Sequence, residues 1–181
     1  EDMNKYAKGN ISSWEMETLC FYYHEHELAN VNFNKYGIVD FFELNTEPEV
    51  ERTYTTKNGH KGNIFKLSKI AGTCIAKDKM RSTVSLLTIN GVVDVKFRKE
   101  YFSLFDKQIS ERNPDGTKHV VEKSWFNRGE MIIVQGFRSE DSFIPRKYGS
   151  QGHQLYRISG IDENNNLFIQ TERYRGELDA E

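Results

Sequence analysis

Lys77, Lys79 and Arg81 fall within a five-residue window, and Arg138, Arg146 and Lys147 within one of ten, beside Phe143, Tyr148 and His153. Lys96 and Arg98 stand between the two groups. Fixed cations attract a chain of negative charges, and flat rings offer faces on which planar groups stack. The combination is what an unpaired nucleic-acid strand requires of its binder. Each cation alone says little, because most surface Lys and Arg only keep a protein in solution. The argument therefore depends on a scaffold that carries these windows to one surface.

Charge is distributed in a way that suits this chemistry. Residues 57–147 hold 18 Lys and Arg against 10 Asp and Glu, whereas residues 1–56 hold 4 against 11 and residues 148–181 hold 3 against 6. The net charge of −2 thus conceals a basic middle between acidic ends. Mean hydropathy is −0.70 and charged residues make up 29% of the chain, with no apolar run of membrane-spanning length. No signal peptide is visible, and the setting expected is the cytoplasm. The first residue is Glu, which reads as a piece of a longer protein. Cys20 and Cys74 lie far apart and read as free thiols in a reducing compartment.

Other chemistries find little support. No Gly-rich phosphate loop, Ser/His/Asp set or paired-carboxylate site stands out, so no catalytic residue and no cofactor is expected. His24 and His26 are two apart, point to different sides of a helix and lack further ligands, so no metal is expected. Tyr101-Phe-Ser-Leu-Phe105 has the rings of a sliding-clamp-binding peptide, but their spacing of three and four places them on the core side of a helix.

The elements that must position the cations are legible. Residues 84–97 form a β-hairpin about Asn90-Gly91, read as a type I′ turn that sets Leu86 against Val95 and Val84 against Phe97. Val84, Leu86 and Thr88 then share a core face with Val93, Val95 and Phe97, while Ser85, Leu87, Asp94 and Lys96 face outward. A strand at 69–76 precedes the hairpin and a helix at 99–110 follows it. Residues 111–128 read as a polar excursion, 129–136 as a fourth strand, 137–152 as a long polar loop, 154–161 as a fifth strand and 167–171 as a last one. Upstream, residues 12–30 read as a helix, and 53–56 are read as pairing across a turn with 63–67.

Three strands, a helix and two more strands is the order of an OB-fold, a five-stranded Greek-key barrel. The expected class is mainly β with some α. The expected division is a helical segment at 1–45, a linker or edge hairpin at 46–67, the barrel at 68–172 and a disordered tail at 173–181. OB barrels bind oligonucleotides on strands 2 and 3 and on the loops joining strands 1–2 and 4–5. That rule assigns Lys77, Lys79 and Arg81 to one loop, Lys96 and Arg98 to the strand face, and Arg138, Arg146, Lys147 and Tyr148 to the other loop. Phe143 and His153 are the candidates for stacking.

Trp14-Glu-Met-Glu-Thr-Leu-Cys-Phe-Tyr-Tyr-His-Glu-His-Glu-Leu28 resembles the segment that precedes the OB domain in the α subunit of bacterial DNA polymerase III, the C-family replicase. Glu15, Glu17, Leu19, Phe21, Tyr22, His26 and Leu28 match that family's pattern; Cys20, His24, Glu25 and Glu27 depart from it, as in a divergent member. Ile70-Ala-Gly-Thr-Cys-Ile75 is similar to the family's first barrel strand. The resemblance implies that 1–45 is the end of the fingers region, that the catalytic palm lies upstream, and that this fragment has no polymerase activity of its own. It also implies single-stranded template DNA, the rest of the polymerase chain and other replisome subunits as partners. The alternative is a replisome protein-interaction module that never touches DNA.

Overall fold

The computed structural model describes residues 26–149 and 152–172. Their elements are a short helix α1 (Phe33–Tyr36), a 3₁₀ turn (Phe41–Glu43), strands β1 (Val50–Thr55), β2 (Lys61–Phe65), β3 (Ser68–Asp78), β4 (Thr83–Thr88) and β5 (Gly91–Lys96), helix α2 (Lys99–Asp106), then β6 (Ile109–Arg112), β7 (Lys118–Glu122), β8 (Met131–Ser139), β9 (Ser142–Pro145), β10 (Leu155–Ile161) and β11 (Leu167–Thr171). Most of the helix expected at 12–30, with its Trp14 and Cys20, lies outside the described residues, as does the tail from residue 173. What is described of that helix, from His26 onward, is turn.

Five strands close into the OB barrel, in the order β8-β3-β4-β5-β9, with β9 pairing back onto β8. The closing pair β5–β9 is parallel (Asp94 beside Ser142, Val95 beside Phe143) and the other four are antiparallel. The fifth barrel strand is therefore β9, not 154–161. The supposed loop at 137–152 is strand for its first half: β8 runs on to Ser139, turns at Glu140-Asp141 with Glu140 at φ 55°, and returns as β9. Phe143 and Pro145 alternate inward while Ser142 and Ile144 do not, so a four-residue strand closes the barrel with only two buried side chains. Polar neighbours hide so short a pattern. Gly136 makes the corner possible: a Cβ there would stand 2.0 Å from the Ile144 carbonyl oxygen. Strands β10 and β11 extend the sheet beyond β8 as a ribbon outside the barrel.

The β4–β5 hairpin keeps its predicted faces and changes its register. Leu86 opposes Val93 and Val84 opposes Val95, so the two turn residues are Ile89 and Asn90 rather than Asn90 and Gly91. Each partner moves by two residues, which preserves the side-chain parity. The cause is tertiary. The Phe42 ring lies where a Cβ on Gly91 would sit, 2.8 Å away, and the Asn90 side-chain amide donates to Asp40. Asn90 consequently lacks the positive φ of a type I′ turn, and Gly91 takes φ 153°.

Two apolar layers account for the continuous hydrophobic runs in β3 and β8. Ile70, Cys74, Ile132 and Val134 point into the barrel, with Val84, Leu86, Val93, Val95 and Phe143. Ala71 and Ile133 point outward and are covered by Leu28, Val31 and Ile38. Strands buried on both faces read as unbroken apolar runs. Burial pushes the Cys74 thiol far above its ordinary range, so it stays protonated and unreactive.

His26 locks the start of that cover. Its Nε2 lies 3.1 Å from the Leu87 carbonyl and 3.2 Å from the Thr73 hydroxyl, and its Nδ1 accepts the Leu28 N–H at 3.1 Å. An accepting Nδ1 requires the neutral ring. Burial holds the imidazole below its ordinary 6.5, with neighbouring Glu27 and the Leu87 carbonyl pulling the other way. A depressed histidine contributes stability that is complete above 6.5 and is lost as pH falls through the folded value. Urea midpoints are accordingly expected to drop between about pH 7.5 and about pH 5.5 in the wild type, and to drop less in His26→Gln.

Helix α2 stops at Asp106, four residues before the expected end, because its last carboxylate is tied down: Lys77 Nζ approaches it at 2.5 Å and Ser124 Oγ donates at 3.0 Å. Phe102 and Phe105 face the core, so the pentapeptide is not presented as an extended ligand. The excursion at 111–128 is half correct. The β6–β7 ribbon is exposed, but Trp125 and Phe126 are fully buried against Phe105, Phe97 and Phe102. Glu122, Glu130 and Arg157 form a largely buried ion triad, with Arg157 Nη1 2.6 Å from Glu122 and Nη2 2.9 Å from Glu130.

Candidate nucleic-acid interface

Most of the expected site residues fall into three groups, and three lie apart from them. At the β3–β4 loop, Lys77 is spent on Asp106 and Asn127, Lys79 lies 3.5 Å from Asp106, and Arg81 projects into solvent with Asp78 3.8 Å away. On the outer face of β4–β5, Lys96 is exposed but shares the surface with Leu87, Val92 and Asp94, which accepts from Ser85 at 2.7 Å. That face is mixed rather than cationic, and Asp40 and Phe42 sit on the hairpin tip.

The third group converges. An open groove of about 680 Å³ is lined by Arg98, Tyr101, Arg146, Lys147 and Tyr148, with Tyr54, Glu100, Pro145 and Gln154. Local structure explains the gathering. Arg98 is the N-cap of α2, so the start of the helix brings Arg98, Glu100 and Tyr101 to one edge. Pro145 ends β9, so the chain leaving the barrel delivers Arg146, Lys147 and Tyr148 opposite them. The Arg98 side chain makes no capping bond, which leaves first-turn N–H groups of α2 near the groove. Lys77 and Lys79 lie at the other end of α2, beside Asp106, whereas Arg81 lies near the groove's edge: the Phe97 N–H donates to the Ser82 carbonyl at 2.9 Å, so Arg81 and Arg98 each stand one residue from that bonded pair.

The cations of the groove are not equivalent. Lys147 Nζ lies 2.6 Å from Glu172 Oε1, and Glu172 also receives the Tyr101 hydroxyl and the Gln154 N–H. Burial pushes the Glu172 carboxyl up, while the Gln154 and Leu155 N–H groups draw it back. Lys147 is thereby largely neutralised. The Arg146 guanidinium rests 5.6 Å above the Phe137 ring, and its buried Nε has no hydrogen-bond partner. Arg98 is exposed. Arg98 and Arg146 are thus the groove's charges available to a polyanion, and Tyr148 its ring; Tyr101 packs against Phe97 and Phe105, at 6.1 and 4.8 Å between centroids, and shows the groove only part of its ring. Tyr148 is oriented by the Phe65 N–H, which donates to its hydroxyl at 2.9 Å.

Three expected residues are placed elsewhere. Phe143 is fully buried in the barrel and offers no face for stacking. Arg138 holds the 3₁₀ turn, donating to the Phe41 and Leu44 carbonyls at 3.2 and 2.9 Å and lying 4.4 Å from the Phe41 ring centroid. It borders a smaller cavity of about 150 Å³ whose rim carries Glu43, Glu47 and Glu49, the wrong charge for phosphate. His153 is engaged with Glu172 at 3.3 Å and packs edge-on against Tyr156. Tyr101 and Tyr54 are groove residues without a flag in the sequence: the first lies on the core stripe of α2, the second in an apparent linker. Among the described residues no cluster of His, Cys, Asp and Glu is arranged to hold a metal, and no helix is long and apolar enough to cross a membrane.

No family profile and no solved structure matches the chain. Two curated proteins do. It is 38% identical over 175 residues to the probable DNA polymerase YorL of Bacillus subtilis (strain 168), and equally so to a DNA-directed DNA polymerase of Bacillus phage SPbeta. The matched region is 96% of this chain and 13% of each relative, so the chain corresponds to a small part of those proteins.

Proposed function

We propose that this chain is the single-stranded-DNA-holding OB module of a DNA polymerase of the polymerase III α type, a DNA replication protein. The carrying observation is the groove in which Arg98, Arg146, Tyr101 and Tyr148 meet, on a barrel homologous to a segment of named DNA polymerases. Phosphates of an unpaired template meet the two guanidinium groups, and its bases lie against the tyrosine rings. Contacts to phosphates and to base faces carry no base identity, so the module is expected to tolerate most sequences. Nucleotidyl transfer belongs to the rest of the polymerase chain, and this part supplies grip. Of the motif that resembles polymerase III α, His26 and Leu28 are among the described residues, and both hold the stretch from 26 to 31 against the barrel.

Fluorescence-anisotropy titration of labelled oligo-dT tests this. Each neutralised phosphate contributes about 0.7 to the slope of log affinity against log salt, so two arginines give a slope near −1.4. Affinity is expected to rise as salt falls from about 200 to about 50 mM, and duplex DNA to compete poorly. A folded chain that fails to bind at low salt would favour the docking alternative. That reading has its own observation: the ribbon strand β11 presents Phe168 at 58% and Ile169 at 37% exposure.

A further inference from the structure

Residues 46–67, expected to be a linker or edge hairpin, form a ribbon that overhangs the groove. Every residue of β1 is exposed, and the ribbon is held at its base, where the Phe65 and Phe137 rings meet at 4.7 Å and Phe65 donates its N–H to Tyr148. Tyr54 is the one β1 residue that lines the groove. It pairs across the ribbon with Gly62, and its ring occupies the space of the missing side chain: a Cβ on residue 62 would stand 2.5 Å from the ring. The glycine leaves a bed on which the tyrosine lies flat. The ring is 49% exposed, and its hydroxyl makes no hydrogen bond among the described residues. Arg52 pairs with Ile64, two residues from Tyr54 and so on the same face, and it is exposed with no ion pair among the described residues.

A ring laid over a cross-strand glycine steadies a ribbon by itself; what points beyond that is its position, since Tyr54 lines the groove and a solvent-facing guanidinium stands beside it. We propose that the β1–β2 hairpin is the second wall of the groove, with Tyr54 as a stacking platform for one base and Arg52 as the contact for an adjacent phosphate. The inference rests on the single-strand reading and adds to it a route: the strand passes between the hairpin and the wall formed by Arg98, Arg146 and Tyr148.

The test uses the full 181-residue chain and fluorescein-labelled oligo-dT of about 12 nucleotides. Tyr54→Ala is expected to weaken binding about tenfold, and Tyr54→Trp, which keeps a flat face, to stay within about twofold of the wild type. Both variants should melt at the wild-type temperature, because the ring is half exposed. Wild-type binding by Tyr54→Ala, beside a loss in Arg146→Ala, would remove the hairpin wall and leave the groove reading intact. Equal losses in Tyr54→Ala and Tyr54→Trp with lowered melting temperatures would assign the ring a structural role and overturn the platform. No binding by the wild type would overturn the groove reading, and the hairpin's role with it.

Discussion

Replacing Arg98 and Arg146 together by alanine is expected to weaken oligo-dT binding about a hundredfold at low salt, since each removes one charge-assisted contact. It should also flatten the salt dependence by about 1.4 in slope, the share of two phosphates. These two are chosen over Lys147, whose ammonium is already balanced by Glu172. Lys147→Ala should therefore cost much less, despite lying beside Arg146 in the sequence. Lys79→Ala serves as a comparison: its ammonium lies 3.5 Å from Asp106, at the far end of α2, and its removal should leave short oligonucleotides bound almost as before. A series in which Lys79 matters more than Arg98 and Arg146 would move the site to the far end of α2.

The largest expected loss of stability comes from Arg157. Its guanidinium is 20% exposed and lies between Glu122 at 6% and Glu130 at 20%, tying the end of the β6–β7 ribbon to the start of β8. Arg157→Met leaves two carboxylates close together, poorly solvated and without a counter-charge. Breaking such a pair costs about 3–5 kcal/mol, enough to unfold much of a marginal domain. Adding Glu122→Gln and Glu130→Gln to Arg157→Met should restore part of the loss, because the remaining groups are then neutral. Urea denaturation of the single and triple variants measures both effects. A triple variant no more stable than Arg157→Met would show that the cost lies in packing rather than in stranded charge.

Much of the barrel was legible in the sequence because parity is robust. Val84, Leu86, Val93 and Val95 reach the core although their partners are shifted, since a shift by two leaves each side chain on its face. What local pattern could not show was the contact of Phe42 and Asp40 with the hairpin tip, which overrides the usual geometry of Asn-Gly. The closing strand β9 was hidden for a related reason. Its two inward residues, Phe143 and Pro145, lie among Arg, Ser, Glu and Asp, and a strand that short carries too few positions to show alternation. The same error made Arg138 and Phe143 look like loop residues when they are a turn anchor and a core ring.

For the candidate site, composition picked out some residues that the fold gathers into one groove and others that it places elsewhere. Arg98, Arg146, Lys147 and Tyr148 do meet, because the start of α2 and the exit of β9 lie at the same edge of the barrel. Tyr101 was assigned to the core by its helical spacing, and it is half-buried with its hydroxyl turned to Glu172. Tyr54 shows its role only through Gly62, a pairing that depends on the β1–β2 register.

The location of the bound strand is tested most directly by photo-cross-linking of bromodeoxyuridine-substituted oligonucleotide to the intact chain, followed by peptide mapping. Adducts are expected on Tyr101 and Tyr148, with a further one on Tyr54, and should be lost in the Arg98→Ala, Arg146→Ala variant. Adducts confined to the outer face of β4 and β5, around Leu87, Val92 and Lys96, or to the Lys79–Arg81 loop, would contradict the groove as the seat of the strand.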